Sequence, residues 1–183
     1  MAVASSSDQF ALLQELTTDQ SLLAAAIGKL RPAGATALYD SLLAASDYLL
    51  RTSPPDHPKI IWVVTDAGDN SSRSRPDEVA QRLSRSAIPL LLSLPGELQE
   101  SIRPGELAVG KLAKSSGGTI FHVDSKRTCL ELAQKTALFS RKLYRVEFPA
   151  PSGNKTHKIE LRTSRPGVKL LDPKRSLHAT SPS

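Results

Sequence analysis

Ile60-Ile61-Trp62-Val63-Val64, followed at once by Thr65-Asp66-Ala67-Gly68-Asp69-Asn70, decides how the rest of the chain is read. The first five residues are apolar without alternation, and all but Trp62 are β-branched. Such a run predicts a strand covered on both faces, as in a parallel sheet. The six residues after it are a polar loop leaving the strand's carboxyl end. Ligands of open parallel sheets sit at that end, so the loop is the first place to look for chemistry.

Working outward, helix-like and strand-like segments alternate. Downstream, Pro76 suits the first turn of a helix, with Asp77 and Glu78 at its positive end and Val79 and Leu83 facing inward. Residues 87–94 predict a second buried strand. Residues 106–116 predict a helix stopped by Gly117-Gly118, residues 119–123 a third strand, and residues 128–143 a long helix with Leu130, Ala133, Ala137 and Leu138 inward. Upstream, Phe10, Leu12 and Leu13 suit a short strand. Thr18 or Asp19 can cap a helix whose broad apolar face carries Leu22, Leu23, Ala26, Ile27 and Leu30. Pro32-Ala33-Gly34 breaks that helix, Thr36 opens the next, and Ser53-Pro54-Pro55 ends it.

From Tyr144 the grammar changes to alternation. Residues 144–148 and 158–162, separated by the turn signal Ser152-Gly153-Asn154, predict an antiparallel hairpin, with a further strand at 168–171. The expected fold class is α/β: a Rossmann-like, doubly wound, mostly parallel sheet with helices on both faces and a C-terminal antiparallel hairpin appendage. The expected division is an α/β domain over residues 1–143, a β-rich extension over 144–174 and a disordered tail over 175–183.

Bulk properties exclude several classes. The chain has 183 residues and a formal charge of +6. Residues 1–100 hold 8 Lys/Arg against 12 Asp/Glu, and residues 101–183 hold 16 against 6, so two different surfaces are expected. The longest apolar run, residues 88–94, falls far short of the roughly 18 needed to span a bilayer. The start, Met1-Ala2-Val3-Ala4 and three serines, lacks the basic opening and apolar stretch of a signal peptide. Cys129 is the sole cysteine, which excludes an intrachain disulfide and is read as a small buried hydrophobe on a helix.

Two carboxylates, Asp66 and Asp69, lie in the loop after the decisive strand. Thr36 offers a hydroxyl at the start of a helix after a Gly-containing turn. Mg²⁺ favours such oxygen donors and keeps several waters. The plainer reading of the same residues has Asp66 capping a turn and Thr36 capping its helix. Pattern alone favours the plainer reading.

Gly34-Ala35-Thr36-Ala37-Leu38-Tyr39-Asp40, together with Ile61-Trp62-Val63-Val64-Thr65-Asp66, resembles the second and third metal-site motifs of the von Willebrand factor type A domain. The downstream order of elements also fits. The segment from Tyr144, with Arg165-Pro166-Gly167-Val168-Lys169, is similar to the tail of bacterial VWFA-related proteins. The resemblance implies a protein-binding, adhesion-type domain. Thr36 would ligate Mg²⁺ (or Mn²⁺ or Ca²⁺), Asp66 would bind it directly or through water, and Asp69 would be an accessory ligand. An open metal position would grip a carboxylate on a protein partner.

Departures from the family pattern qualify that expectation. Its first motif, Asp-x-Ser-x-Ser, is nowhere in the sequence, and Ala67 stands where the family has Gly. The resemblance therefore implies an N-terminally truncated copy that begins within the family's second strand, near residues 2–6. Metal binding by this chain would be impaired, and apolar side chains and backbone groups beside 60–64 would be left exposed. A longer form is expected to be exported or at the cell surface.

Rival functions rest on less. His57, His122, His157 and His178 are scattered without metal-ligand spacing, and no nucleophile elbow or phosphate-binding loop occurs, so no enzyme is expected. A hydrolase using Asp66 and Asp69 would lack a base. From Lys126 onward 13 Lys/Arg face 4 acids, yet the aromatics for a nucleic-acid platform are few. The strongest rival is an interaction module that binds without metal.

Overall fold

The computed structural model describes residues 1–31, 34–95, 104–124, 126–141, 156–158, 162–167 and 176–178. Its centre is strand β4 (Leu90–Pro95), lying between β3 (Ile61–Val64) and β5 (Thr119–Val123). Both pairings are parallel, with Ile61 opposite Leu90 and Leu91 opposite Thr119. Leu90, Leu91, Leu92 and Leu94 are all shut away from solvent. A strand of consecutive leucines is stable only where both faces are covered, which is the condition a parallel sheet supplies.

Helices flank this sheet. The helix α2 (Leu38–Thr52) sends Leu38 and Leu42 into the main core, α3 (Pro76–Arg85) sends Val79 and Leu83, and α4 (Pro104–Ser116) sends Val109 and Leu112. The crossover α3 starts at Pro76 as expected. The main-chain N–H of Arg75 donates to the Glu78 carboxylate at 3.1 Å. In the second crossover, between β4 and β5, Gly117 stops α4 with a φ of +82°, a left-handed turn that glycine adopts at no steric cost. Gly118 then runs so close to β4 that a Cβ there would overlap the Leu90 carbonyl. The Ser116 hydroxyl completes the joint, accepting from the Leu90 N–H at 2.9 Å and donating to the Ala113 carbonyl.

A second, smaller unit precedes this block. The strands β1 (Val3–Ser6) and β2 (Phe10–Gln14) form an antiparallel hairpin with an irregularity between Val3 and Ala4. The helix α1 (Gln20–Gly28) packs on it through Leu23 and Ala26, which meet Val3 in a cluster of three buried residues. Asp19 caps α1, accepting from the N–H groups of Ser21 and Leu22. Those bonds, the Ser21 side chain first, hold its carboxyl below the usual carboxylate range. The expected broad apolar face of α1 is only half used, since Leu22 and Ile27 stay exposed.

Three further expectations need correction. The strand β3 is covered on one face only: Ile61 is buried, but Trp62 is 42 % and Val64 73 % exposed. In α5 (Lys126–Arg141) the inward leucine is Leu132, while Leu130 and Leu138 face solvent. Apolar residues lie on two faces of that helix, so periodicity could not choose between them. Cys129, on the same helix, is exposed rather than buried.

The predicted strand 144–148 and the segment 168–171 lie outside the described residues. Among those described, β6 (Thr156–Lys158) pairs antiparallel with β7 (Ser176–His178). Lys158 is thus in an antiparallel pair, as expected, but opposite Ser176. β7 lies within residues 175–183, where a disordered tail is expected. No helix among the described residues is long and apolar enough to cross a membrane.

Candidate binding rim at the carboxyl end of the sheet

The loop leaving β3 turns on its own side chains. The Thr65 hydroxyl accepts from the Ala67 N–H at 3.1 Å, and Asp66 Oδ1 accepts from the Gly68 N–H at 3.0 Å. These are short-range side-chain turns of the kind Thr and Asp favour. Between them Ala67 is buried with a φ of +67°. That left-handed conformation costs a non-glycine residue about 1 kcal/mol or more, so the loop carries strain at the position directly after Asp66.

The far end of the loop is built onto the start of α2. The main-chain N–H of Thr36 donates to Asn70 Oδ1 at 2.7 Å, and the Thr36 carbonyl accepts from the N–H groups of Asn70 and Ser71 at 3.0 and 3.2 Å. Helix α2 begins at Leu38, with Ala37 at the cap position and no side-chain cap of its own. Thr36 therefore does not cap the helix, contrary to the plainer sequence reading. The cap comes from across the loop. Asp69 Oδ2 accepts from the Tyr39 N–H at 3.1 Å, and the Ser72 hydroxyl oxygen accepts from Tyr39 and Asp40 N–H groups at 3.0 and 3.2 Å. Ser72 in turn donates its hydroxyl to Asp69 Oδ2 at 2.6 Å. A carboxylate beside the first turn of a helix is favoured by the orphan N–H groups and by the helix dipole.

Asp40 returns the tie from the helix to the loop. Its carboxylate accepts from the N–H groups of Arg73 and Ser74 at 3.0 and 2.9 Å. A bond from the Ser74 side chain, with the two main-chain bonds, holds the Asp40 carboxyl below its ordinary value. Burial, and then the charge of Asp69, push the Tyr39 phenol upward. A third tie comes from the β1–β2 turn. Asp8 Oδ1 accepts from the Ala35 N–H at 2.7 Å, and the Ser7 carbonyl accepts from the Ala37 N–H at 2.7 Å.

The structure thus brings Thr36 against the loop that begins at Asp66, thirty residues on. It ties Thr36 to Asn70 and not to Asp66, whose carboxylate bonds within its own turn. Asp40, Asn70, Ser72 and Asp8 were not singled out by sequence. Asp, Asn and Ser in the loop signal turns, but nothing local reveals that they cap a helix thirty positions upstream.

Whether this donor set suits a divalent cation follows from how its oxygens are used. Both oxygens of Asp69 and both of Asp40 accept N–H or O–H groups of the chain. Among the described residues, no group of three His, Cys, Asp or Glu side chains could hold a metal ion. Mg²⁺ keeps several waters and needs few protein carboxylates, but the one left here, Asp66, is bonded within its own turn, and Thr36 is tied to Asn70 instead of Asp66. These residues by themselves do not fit a resident metal.

A solved structure of a von Willebrand factor type A protein from Catenulispora acidiphila superimposes on the chain with a TM-score of 0.57 and 25 % identity, over 76 % of this chain. This is a von Willebrand factor type A-like fold. The match covers 33 % of the Catenulispora chain, so the present chain spans about a third of that protein. A membrane-spanning protein of uncharacterized function from Vibrio fischeri aligns over 75 % of this chain and 74 % of its own, at 17 % identity and a TM-score of 0.39, too low to indicate a shared fold. No protein-family model and no curated protein matches the chain. VWA-like domains typically mediate protein interactions, and the rim after β3 lies where a doubly wound sheet offers its binding edge.

Proposed function

We propose that the chain is a protein-binding module, not an enzyme, which presents the rim formed by the start of α2 and the loop after β3 to a protein partner. The observation that carries this reading is the reciprocal clamp: Asp69 and Ser72 cap α2, while Asp40 holds Arg73 and Ser74. A loop fixed by so many bonds is a pre-ordered surface, and pre-ordering lowers the entropic cost of association. Asp66 is exposed at the edge of that surface, where it can meet a partner.

In the metal-dependent form of this reading, a divalent ion joins Asp66 and Thr36 to a partner carboxylate. That form needs further oxygen donors from outside these residues. For the chain itself, binding without metal is the reading its own side chains favour.

Capture from an extract of the source organism tests the proposal. The chain as bait should retain a protein in the presence of a chelator as well as in Mg²⁺, and Asp66→Ala should lose it. Retention by wild type and Asp66→Ala alike would remove Asp66 from the binding surface. Loss on chelation alone would show that a cation completes the rim after all.

A further inference from the structure

The helices α3 and α4 are both crossovers between parallel strands, α3 from β3 to β4 and α4 from β4 to β5. They therefore run in the same direction, and both start at the carboxyl end of the sheet. A groove of about 450 Å³ lies between them. Asp77 and Ala80 line one wall, Leu107, Ala108 and Lys111 line the other, and the buried Leu112 lines it as well. Alanine at 80 and at 108 leaves space that larger side chains would fill.

The chain itself makes little use of these walls. Leu107 keeps 53 % of its surface in solvent. Asp77 and Lys111 are exposed, and among the described residues neither side chain is held in an ion pair or a hydrogen bond. They carry opposite charges and stand on opposite walls.

We propose that this groove docks an amphipathic helix of a protein partner. The helix lays apolar side chains between Ala80 and Leu107, sets a cationic side chain against Asp77 and sets a carboxylate against Lys111. This surface is separate from the rim at Asp66 and does not rest on it. Openness selects a helix over a small molecule. A small ligand's site buries most of the ligand, whereas a groove whose Asp77, Leu107 and Lys111 are all exposed covers one side of its occupant. An amphipathic helix needs only that side, anchored by residues three and four apart. Charge fixes the rest. A purely cationic occupant meets Lys111 and a purely anionic one meets Asp77, and like charges brought together are costly, so the occupant carries both signs.

The probes are two short fluorescein-labelled amphipathic peptides with leucines along one face. One has a lysine at one flank and a glutamate at the other, and the second has lysine at both. Fluorescence anisotropy with the full chain measures their binding. The mixed-charge peptide should bind saturably, and the all-lysine peptide about tenfold more weakly. Lys111→Glu, at an exposed position within α4, should reverse that preference. Leu107→Gln should weaken both peptides and melt with wild type, because Leu107 lies largely in solvent. Asp66→Ala should bind both peptides as wild type does, which tests the groove apart from the rim. Absence of saturable binding overturns the proposal, as does a preference that Lys111→Glu leaves unchanged. A lower melting temperature for Leu107→Gln assigns the groove to the chain's own residues and overturns it too. So does a wild-type dimer in light scattering that Leu107→Gln abolishes, since that gives the groove to a second copy.

Discussion

The two sheet-containing units of this chain use similar residues to very different effect. Around β4, thirteen buried residues form one cluster, to which α2, α3 and α4 all contribute. Around the β1–β2 hairpin the cluster is Val3, Leu23 and Ala26. Yet α1 is rich in leucine and alanine, and its sequence promises as much apolar surface as α2. What differs is the opposing surface: α2 packs against a sheet backed by further helices, whereas among the described residues α1 buries its side chains against the hairpin. Apolar content becomes stability only when something on the other side removes it from water.

Matched truncations in the two cores give the largest effect. Leu92→Ala, at a position fully shut from solvent, should lower unfolding stability by about 3 kcal/mol. Leu23→Ala should cost less, about 2 kcal/mol, because a small cluster can collapse around the loss. Urea unfolding of both variants measures the gap, and equal costs would erase the distinction between the units.

Two alanines with positive φ sharpen the contrast within the larger unit. Ala87, after α3, has a φ of +54° and lies in solvent. Ala87→Gly should stabilise by about 1 kcal/mol, since it relieves the left-handed strain and removes no buried methyl. Ala67 has similar strain but is buried in the main core. There the relief of about 1 kcal/mol is offset by the loss of about 0.8 kcal/mol for one buried carbon. Ala67→Gly should therefore leave the melting temperature nearly unchanged, and a gain matching that of Ala87→Gly would show that the methyl contributes nothing.

The smallest effect is a dependence on acid. Asp40 is held below its ordinary value of 3.8 by the bonds it accepts from Ser74 and Arg73. A carboxyl lowered on folding contributes stability above its unfolded value, and that contribution is lost as pH falls through the folded one. The rim should therefore loosen below pH 3.8. Hydrogen exchange at Arg73 and Ser74 should show this, and Asp40→Asn should flatten the response while leaving the β1–β2 hairpin unaffected.

Much of the larger unit was legible in the sequence. The apolar runs of β3 and β4 mark strands, Pro76 a helix start and Gly117 a helix end, and each of these is a local signal. What could not be read depended on absent or distant partners. The apolar run alone makes Trp62 and Val64 look like core residues, and it was the resemblance that led to the expectation of exposed side chains there, which their 42 % and 73 % exposure matches. Leu130 and Leu132 are equivalent to a periodicity argument, and only the docked helix separates them. At the rim, Thr36 and Asp66 were identified as a pair by resemblance. The groups that join their segments, Asp69, Asn70 and Ser72, act across thirty residues by capping a helix that has no cap of its own.

The central claim is that this chain commits the carboxylates beside Asp66 to holding its own backbone. Calorimetric titration of the chain with Mg²⁺ and Mn²⁺ tests it most directly. No saturable binding is the expected result, for wild type and for Asp66→Ala alike. A one-to-one isotherm of micromolar affinity that vanishes in Asp66→Ala would contradict the account, because it would mean that the rim releases those oxygens to a cation.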